Sequence, residues 1–463
     1  MSLHTTLESS TPVLDRWTGQ RLGDVPAQGA IEAARAVDAA ESAMASPFPV
    51  HQRSKVLADT AAHIAASAED FASLIQRETG KPITAARLEV SRAVGTLLAS
   101  SEEARRLPTE AVPLDAVEAG LGTFAFTIAE PQGIVAAITP FNFPLNLVVH
   151  KIGPAIAAGC AVVFKPSDKA SLVAVELVKA FEACGLPQGW LDLVTGPPEA
   201  IVNAWLADDR VAVVTFTGSS AVGWKIKADS PKKLHILELG ATTAMYVHED
   251  AALDRAVADA VTAGYGNSGQ ACVSLQRLYV HSSIAEEFTS RLVSAVAGLA
   301  AGDPSEAATV VGPLITTAAN ERVVNWIDAA VSDGAHLLVG GRERGGVVTP
   351  AVLTHVSEDS PLIRDEVFGP VISVIEVDGL ESAIAAVNSS DFGLNASIHT
   401  KDLAAAMAFG SRVSAGSVLV NMPPSFRADH MPYGGVKLSG QGREGVKYAV
   451  EELVHKKLIV LKS

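Results

Sequence analysis

The run Val211-Ala212-Val213-Val214-Thr215-Phe216-Thr217 is followed directly by Gly218-Ser219-Ser220-Ala221-Val222-Gly223. Residues 211–217 are apolar and rich in β-branched residues, which predicts a buried strand. Residues 218–223 begin with glycine and serine, which favour a turn and the start of a helix. Helix N-terminal amides at such a turn could bind a phosphate. An ordinary capped strand–helix turn explains the same local pattern equally well.

Four further apolar runs repeat the strand pattern around this unit, with helix-like segments between them. They are residues 134–139, 161–165, 191–195 and 234–237. Strands that alternate with helices predict a parallel α/β sheet. Ligands of such sheets bind at the carboxyl ends of the strands. Lys165, Thr217 with Ser219, and Glu238 all fall at these ends, so the pattern predicts a binding edge that brings them together.

Composition limits the classes of function. The chain has 463 residues, 48% of them apolar, which suits two or three domains with their own cores. A formal net charge of -15 argues against nucleic acid or an anionic membrane as partner, because both attract basic surfaces. Three cysteines suit a reducing cytosol better than a disulfide framework. Residues 1–17 lack the pattern of a signal peptide. We therefore expect a cytoplasmic protein without a metal site.

The remaining segments are assigned by their periodicity. Residues 27–106 have apolar positions at three- and four-residue spacing, which predicts successive amphipathic helices. Residues 112–128 alternate like an extended ribbon, and residues 456–461 form a strand-like tail that could pair with it. A second α/β segment extends from about residue 241 to residue 415.

Two separated signatures, Glu238-Leu239-Gly240 and Gly269-Gln270-Ala271-Cys272, combine a carboxylate with a thiol. A cysteine flanked by small residues is open to a substrate, and a carboxylate from elsewhere in the chain could act as its base or activate a water. Alone, each residue is more often structural, because a lone cysteine usually behaves as a small buried hydrophobe and a glutamate is usually solvated. The case for chemistry therefore depends on the motifs that accompany them.

Five such motifs occur in order, and they are Pro140-Phe141-Asn142-Phe143-Pro144, Phe164-Lys165-Pro166-Ser167, Phe216-Thr217-Gly218-Ser219, Glu366-Val367-Phe368-Gly369-Pro370 and Pro432-Tyr433-Gly434-Gly435-Val436-Lys437. From about Trp17 to the C-terminus, the ordered set resembles the NAD(P)-dependent aldehyde dehydrogenase superfamily. Ala241 and Ala244 depart from its usual pattern beside the carboxylate. With residues 247–250 and 429–433, they resemble the branch that oxidises small polar aldehydes, such as lactaldehyde, phosphonoacetaldehyde and semialdehydes.

The resemblance implies a catalytic set of Cys272, Glu238, Asn142 and Lys151. Cys272 would attack the aldehyde carbon, and the Asn142 side chain with the Cys272 backbone N–H would hold the resulting oxyanion. Collapse of this thiohemiacetal would leave a thioester, which a water activated by Glu238 would hydrolyse. Lys151 would lie near the oxyanion, although a capping or surface lysine is an equally good interpretation. The presence of Glu238 favours hydrolysis over transfer to coenzyme A.

The resemblance also implies a set of cofactor-binding residues, which are Lys165, Ser167, Asp168, Thr217, Gly218, Ser219, Glu366 and Phe368. Lys165 and Glu366 would hold the two riboses, and Ser219 would contact the pyrophosphate. Asp168 would repel a 2′-phosphate, which favours NAD, with NADP as the alternative. The glycine pattern of residues 440–445 also matches a dinucleotide fingerprint, but only 18 residues follow it, too few for a βαβ unit.

Candidate substrate contacts are His150, Phe143, Arg427 and Phe426, chosen because they lie close to the motifs in the sequence, and His430 belongs to the same set. They suggest a polar pocket for a short aldehyde with a hydroxyl or an anionic tail. Phosphonoacetaldehyde is disfavoured because Ala271 precedes the cysteine where a cation would help. Lactaldehyde, glycolaldehyde, glyceraldehyde and semialdehydes remain, and an NADP-preferring semialdehyde dehydrogenase is one alternative.

The implied architecture is α/β, with two Rossmann-like parallel domains and a small β oligomerisation arm. Residues 1–111 and 129–240 would form the cofactor-binding domain, residues 241–420 the catalytic domain, and residues 112–128 with 445–463 the arm. Exposed strand edges in the arm would seek partners, so a homodimer or homotetramer is expected. A cofactor-independent thiol hydrolase or esterase is the alternative from another class, and a catalytically silent relative is a third.

Overall fold

The computed structural model describes residues 10–462. Its strands are β1 Ser10–Leu14, β2 Arg21–Pro26, β3 Thr123–Pro131, β4 Ile134–Ile138, β5 Val162–Lys165, β6 Leu191–Leu193, β7 Val211–Thr217, β8 Leu234–Glu238, β9 Thr243–Val247, β10 Leu275–His281, β11 His336–Val339, β12 Glu343–Arg344, β13 Val347–Val348, β14 Ala351–Thr354, β15 Val371–Val377, β16 Phe392–Gly393, β17 Asn395–His399, β18 Ser417–Val420, β19 Val436–Lys437, β20 Gly440–Gln441 and β21 Val454–Lys462. Residues 1–9, which belong to the segment expected to lack a signal peptide and to the predicted cofactor-binding domain, lie outside the described range.

The helices alternate with these strands over most of the chain. They are α1 Ala30–Met44, α2 Val50–Ala66, α3 Ala68–Thr79, α4 Ile83–Glu103, α5 Asn146–Ala158, α6 Ser171–Ala183, α7 Pro198–Ala207, α8 Ser220–Asp229, α9 Leu253–Tyr265, α10 Ala285–Ala297, α11 Thr317–Ser332, α12 Pro361–Arg364, α13 Leu380–Asn388, α14 Leu403–Arg412 and α15 Val446–Glu452. None of the helices in the described residues is long and apolar enough to cross a membrane.

The first sheet has six strands in the order β20-β8-β7-β4-β5-β6. Strands β4 to β8 are mutually parallel, and the short β20 joins the edge antiparallel to β8. All five predicted strands are present, within two residues of their expected ends, so the predicted parallel α/β sheet is confirmed. Residues 440–445 begin in the edge strand β20, which confirms that they are no dinucleotide fingerprint.

The second sheet has seven strands in the order β11-β14-β15-β10-β9-β17-β18. All neighbours are parallel except β11 and β14. Its central strands β9 and β17 are buried at every position, as expected for a parallel sheet that helices cover on both faces. The chain therefore has two parallel α/β units, and the nucleophile signature lies between α9 and β10 of the second.

The ribbon and the tail pair as expected. Strand β21 lies antiparallel to β3, from Val454 opposite Pro131 to Lys462 opposite Thr123. Two details differ from the prediction. Residues 114–116 and 118–120 form 3₁₀ turns rather than extended ribbon. Helix α15, assigned to the arm from the sequence, packs against α5 and α4, so only the strand after it extends into the arm.

Helix α5 is buried at all 13 positions, and it carries His150 and Lys151 into the interior. A helix buried on every side is normally apolar all round, so each polar side chain on it needs a partner. Its first turn is held by Glu89 of α4, whose Oε1 accepts hydrogen bonds from the backbone N–H groups of Leu145 (2.8 Å) and Asn146 (3.1 Å). Glu89 Oε2 pairs with Lys81, and both side chains are fully buried.

This pair gives a test of what anchors α5. Lys81→Met leaves the Glu89 carboxylate buried without its cation, so we expect the free energy of unfolding to fall by about 3–5 kcal/mol. The measurement is the shift in the midpoint of urea unfolding at neutral pH.

The control is Lys81→Met combined with Glu89→Gln, which removes both charges and keeps an acceptor for the two amides. This double variant should recover most of the loss. A single variant as stable as the parent protein would contradict the role given to the pair.

Candidate active site

The loop that presents Cys272 is held in an unusual backbone conformation. Three successive residues have positive φ, at 52° for Asn267, 59° for Ser268 and 73° for Gly269. Left-handed conformations cost about 1 kcal/mol or more for a non-glycine residue and persist only where the surroundings impose them. Gly269 is required here, because a Cβ atom would lie 2.1 Å from the backbone oxygen of Gly369. The loop is thus fixed by its neighbours and not by its own preference.

Two side chains of the loop itself, those of Ser268 and Gln270, bond the backbone of a neighbouring segment. Ser268 Oγ donates to the Gly312 carbonyl (3.1 Å) and accepts from the Gly312 N–H (2.9 Å). Gln270 Oε1 accepts from the N–H of Ile315 (2.9 Å). Each contact joins the loop to the segment before α11, more than 40 residues further along the chain. The position of Cys272 therefore depends on tertiary contacts that its own motif does not contain.

Asn142 lies beside the loop, in the turn between β4 and α5. Its Nδ2 donates to the carbonyl of Gln270 (3.0 Å), and Asn267 Nδ2 donates to the carbonyl of Asn142 (3.1 Å). These reciprocal bonds tie the turn at the end of β4 to the nucleophile loop of the second α/β unit. The Asn142 side chain is 5% exposed, and it lines the same cavity as Cys272.

Glu238 is the last residue of β8 and is 3% exposed, yet neither of its carboxylate oxygens has a hydrogen-bond partner among the described residues. Burial, followed by the nearby negative charge of Glu444, raises the pKa of Glu238 well above its usual range. A buried carboxyl group with free oxygens and a raised pKa is suited to accept a proton near neutral pH.

Glu444 belongs to a network that the sequence analysis did not identify. Its Oε1 accepts from Lys151 Nζ (2.9 Å) and its Oε2 accepts from Arg427 Nη2 (3.0 Å). Burial opposes ionisation of Glu444, but the positive charges of Lys151 and Arg427 lower its pKa to about 2. Lys151 also donates to Thr215 Oγ1 (3.1 Å). The predicted catalytic Lys151 is thus buried and is not a surface lysine. It bonds Glu444, whose charge in turn acts on Glu238.

Two cavities meet at Cys272, and Leu147 also lines both. Predicted catalytic and cofactor residues line the first cavity, and they are Asn142, Thr217, Gly218, Ser219, Glu238, Cys272, Glu366 and Phe368. The polar lining of the second cavity includes Arg92 and Arg427. Cys272 is therefore a wall residue of both cavities.

The first cavity has the features that a dinucleotide needs. Helix α8 begins at its edge, and Ser219 occupies the N-cap position without using its side chain as a cap. The hydroxyls of Thr217 and Ser220 are buried and have no hydrogen-bond partner within residues 10–462. Helix N-terminal amides and free hydroxyls together form a phosphate site. Phe368, with φ of 47°, packs edge-on against Phe141 (5.9 Å between ring centroids) at the Cys272 end.

Lys165 is the last residue of β5, two strands along the sheet from Thr217, and Ser167 and Asp168 follow it. Lys165 Nζ donates to the carbonyl of Pro166 (2.7 Å) and to Asp168 Oδ1 (2.6 Å). The predicted cation and the predicted acid therefore neutralise each other at the carboxyl edge. Ser167 lies between them and accepts a hydrogen bond from the Lys169 N–H (3.3 Å).

Glu366 reaches this edge from the second α/β unit. Its Oε1 accepts from the Ala241 N–H (3.2 Å), and its carboxylate packs on Gly240, where a Cβ atom would lie 2.6 Å from Oε2. Burial raises the pKa of Glu366 to about 7. The glycine of the Glu238-Leu239-Gly240 signature thus gives room to the side chain of a residue more than 120 positions away.

Of the predicted substrate residues, the second cavity is lined by two, and the others lie elsewhere. Phe143 and Arg427 line it, and the Lys81 ammonium lies 3.9 Å from the Phe143 ring centroid. His150 does not line it. That side chain is fully buried and bonds Asp429 (2.9 Å), and burial, followed by the nearby charge of Arg427, lowers the pKa of His150. Proximity in sequence was misleading because α5 turns His150 towards the interior.

Phe426 and His430 do not line this cavity either, and both are exposed. Arg92 of α4 was not identified from the sequence, although it lines the cavity and donates to Asp429 through Nη2 (2.7 Å) and Nε (3.1 Å). No local signal marks Arg92, since it lies in an ordinary amphipathic helix. Tyr433 was quoted only as part of a motif, yet its hydroxyl lies 3.3 Å from Cys272 Sγ.

A half-buried thiol between an unpaired carboxylate and a dinucleotide-type phosphate site defines a class, the thiol-dependent oxidoreductases that use a nucleotide cofactor. The sequence profile described as the aldehyde dehydrogenase family matches residues 4–459. The chain belongs to the aldehyde dehydrogenase family. It is an NAD(P)-dependent enzyme that oxidises small aldehydes, as the ordered motifs predicted.

Individual relatives agree with this assignment. The chain is 39% identical to a 3-sulfolactaldehyde dehydrogenase of Priestia aryabhattai over 98% of this chain and 96% of the relative. It is 38% identical to a lactaldehyde dehydrogenase of Methanococcus vannielii over 89% and 88% of the two chains. Among solved structures, a glyceraldehyde-3-phosphate dehydrogenase from Methanocaldococcus jannaschii complexed with NADP superposes with a TM-score of 0.94. It is 36% identical, and the match covers 98% of this chain and all of that one.

The raised pKa of Glu366 predicts a pH dependence of cofactor affinity. A carboxylate accepts hydrogen bonds from ribose hydroxyls better than a carboxylic acid does. The group is protonated below its pKa of about 7 and ionised above it, so affinity should weaken as the pH falls. We expect the NAD dissociation constant to rise by up to about tenfold per pH unit below pH 7. Tryptophan fluorescence during cofactor titration gives the measurement.

The matched variant is Glu366→Gln, which keeps the size of the side chain and cannot ionise. Its affinity should be lower at pH 8 and should not vary between pH 6 and pH 8. A variant that retains the pH dependence of the parent would assign it to another group.

Proposed function

We propose that this protein oxidises a short aldehyde with a hydroxylated or anionic tail to its carboxylic acid, with NAD preferred over NADP. The observation that carries the proposal is that Cys272 lines two cavities. One cavity contains protein groups suited to bind phosphate and ribose, and the other contains two arginines. The aldehyde carbon and the hydride acceptor would approach the sulfur from opposite sides.

In the first step, Cys272 transfers its proton to the free carboxylate of Glu238 and its sulfur bonds to the aldehyde carbon. The carbonyl oxygen becomes an oxyanion that accepts hydrogen bonds from Asn142 Nδ2 and the Cys272 backbone N–H. The reciprocal bonds of Asn142 and Asn267 fix this donor in advance. Donors placed where charge develops typically lower such a barrier by about 3–4 kcal/mol each.

In the second step, hydride leaves the thiohemiacetal carbon. A nicotinamide held in the cavity lined by Thr217, Ser219 and Glu366 would supply the hydride acceptor. The product on the enzyme is a thioester of Cys272. Once Glu238 has released its proton, it accepts one from a water molecule, whose oxygen attacks the thioester carbon and releases the acid and the thiol. The unpartnered oxygens of Glu238 suit this role, because no protein donor competes for them.

Lys151, Glu444 and Arg427 support Glu238 in this proposal. Glu444 raises the pKa of Glu238, whereas the positive charges of Lys151 and Arg427 oppose that rise and keep Glu444 itself ionised. Lys151 therefore acts on the chemistry through charge and does not contact the substrate.

The tail of the substrate is assigned to Arg92 and Arg427. Arg92 donates to Asp429 through Nε and Nη2, which leaves Nη1 for a ligand. Arg427 Nε is buried and has no partner in the part of the chain that the structure describes. Desolvated guanidinium groups bind carboxylates, sulfonates and phosphates through charge-assisted bonds. The Priestia relative is named for an aldehyde that carries a sulfonate. Phe143, Leu147 and Val273 are among the apolar residues that line the same cavity, and they would pack against the carbon atoms of the tail.

The preference for NAD rests on Asp168. Its carboxylate accepts a hydrogen bond from Lys165 and so neutralises the cation that a 2′-phosphate would need. We also propose a homodimer or homotetramer, because β3 and β21 form an isolated two-stranded ribbon with Phe124, Leu458 and Leu461 exposed. The three free cysteines suit the cytoplasm.

The first test compares short aldehydes in NADH formation by purified protein, with NAD and NADP in parallel. Hydroxylated and anionic aldehydes should give the highest kcat/KM, and NAD should be used better than NADP. Cys272→Ala should lower kcat by at least about a thousandfold and leave NAD affinity unchanged.

The same samples distinguish the alternatives. The thiol hydrolase would be favoured by two results together. The protein would hydrolyse a p-nitrophenyl ester without cofactor, and it would form no NADH from any aldehyde. Faster turnover with NADP and semialdehydes would favour the NADP-preferring alternative. Higher kcat/KM for long alkyl or aryl aldehydes would contradict the polar pocket.

The second test concerns the tail. Arg92→Met removes a charge-assisted contact, so KM for an anionic aldehyde should rise by about tenfold or more, with a much smaller change for an uncharged hydroxyaldehyde of equal length. The matched control is Arg87→Met on the same helix, whose arginine pairs with Glu69 on the surface. Equal effects of Arg92→Met on both aldehydes would remove Arg92 from substrate recognition.

A further inference from the structure

The hydroxyl of Tyr433 lies 3.3 Å from Cys272 Sγ, within hydrogen-bonding distance for sulfur. Its ring is 2% exposed and lines the substrate cavity. Two backbone bonds hold this residue in place, since its N–H donates to the Glu444 carbonyl (3.0 Å) and its carbonyl accepts from the Glu444 N–H (2.7 Å). The contact with the sulfur is therefore fixed by the same residue that organises Lys151 and Arg427.

The face of the Tyr433 ring is covered by a cation. The guanidinium carbon of Arg427 lies 3.8 Å from the ring centroid, and Glu444 holds that guanidinium through Nη2. A cation on the face of a phenol attracts its electrons and strengthens its O–H as a donor. The packing here needs only an aromatic ring, whereas the hydroxyl reaches the sulfur. Packing therefore explains the aromatic ring at position 433 but not its hydroxyl group.

The other charges around the thiol are mixed. The carboxyl groups of Glu366 and Glu238 disfavour a thiolate at Cys272, the Arg427 guanidinium favours it, and burial of the sulfur is the largest obstacle to its ionisation. A thiolate formed here therefore depends on the donors within its reach. Tyr433 is the side-chain donor that contacts the sulfur among the described residues.

We propose that the Tyr433 hydroxyl donates a hydrogen bond to the Cys272 thiolate and sets the fraction of enzyme that is ready to attack the aldehyde. When the thiol loses its proton to solvent or to Glu238, the phenol keeps its own, because burial raises the pKa of Tyr433 well above its usual range. The contact then becomes charge-assisted. This inference rests on the proposed role of Cys272 as the nucleophile.

The test is the rate of alkylation of Cys272 by iodoacetamide, measured by peptide mass between pH 6 and pH 9. A Cys184→Ser background removes the other accessible thiol, since Cys160 is buried. Tyr433→Phe should be alkylated about tenfold more slowly than the parent at each pH, the change expected from loss of one hydrogen bond to a charged acceptor. Tyr246→Phe removes a different buried hydroxyl, which contacts His248, and should alkylate at the parent rate.

A second substitution separates hydrogen bonding from access to the thiol. A difluorinated tyrosine at position 433, with fluorine on both carbons beside the hydroxyl, has nearly the same size and is a stronger donor. Alkylation should become faster than in the parent, opposite to Tyr433→Phe. Unchanged rates in Tyr433→Phe, or slower alkylation in both substituted proteins, would overturn the inference.

The parent protein provides the remaining distinction. If complete alkylation of Cys272 leaves NADH formation intact, the proposed nucleophile is wrong and the inference falls with it. If alkylation abolishes NADH formation while Tyr433→Phe reacts like the parent, the proposed function stands and only the role of Tyr433 is lost.

Discussion

The active site depends on one buried carboxylate, that of Glu444, and on the rule that buried charges must be paired. Glu444 binds Lys151 from the fully buried helix α5 and Arg427 from the segment before β19, and its backbone holds Tyr433. Two cations and one carboxylate satisfy each other in this way. Glu238 is left as the neighbouring carboxylate with free oxygens. The pairing that stabilises the interior therefore leaves Glu238 without a hydrogen-bond partner among the described residues, which suits the role of base proposed for it.

Strain at Cys272 is a second consequence of tertiary packing. Three successive positive φ values precede the thiol, and bonds to Gly312, Ile315 and Asn142 hold them. A flexible loop would relax from this conformation and carry the thiol away from the oxyanion donor. A fixed loop keeps nucleophile, donor and base aligned before any ligand binds, which is how preorganised groups avoid the cost of rearrangement during the reaction.

The two cavities are built largely from different parts of the chain. The cofactor side is built at the carboxyl edge of the first sheet, where strand ends supply Thr217 and Glu238, and it is completed by Glu366 from the second unit. The substrate side is built between α4, α5 and the loops of the second unit, where arginines survive burial through carboxylate partners such as Asp429 and Glu444. Specificity for the aldehyde can therefore change through residues such as Arg92 that leave the cofactor edge untouched.

The sequence by itself determined the parallel sheet, the strand ends at Lys165, Thr217 and Glu238, and the family, because these follow from local periodicity and from motifs that stay together along the chain. Only the tertiary structure decided that His150 turns inward, that Arg92 lines the substrate cavity, and that Glu444 and Tyr433 belong to the site. Lys151 and Glu444 are 293 residues apart, and Glu444 lies within a glycine pattern that has no phosphate role. Charge pairing in the interior acts across such distances, and a local pattern of residues carries no record of it.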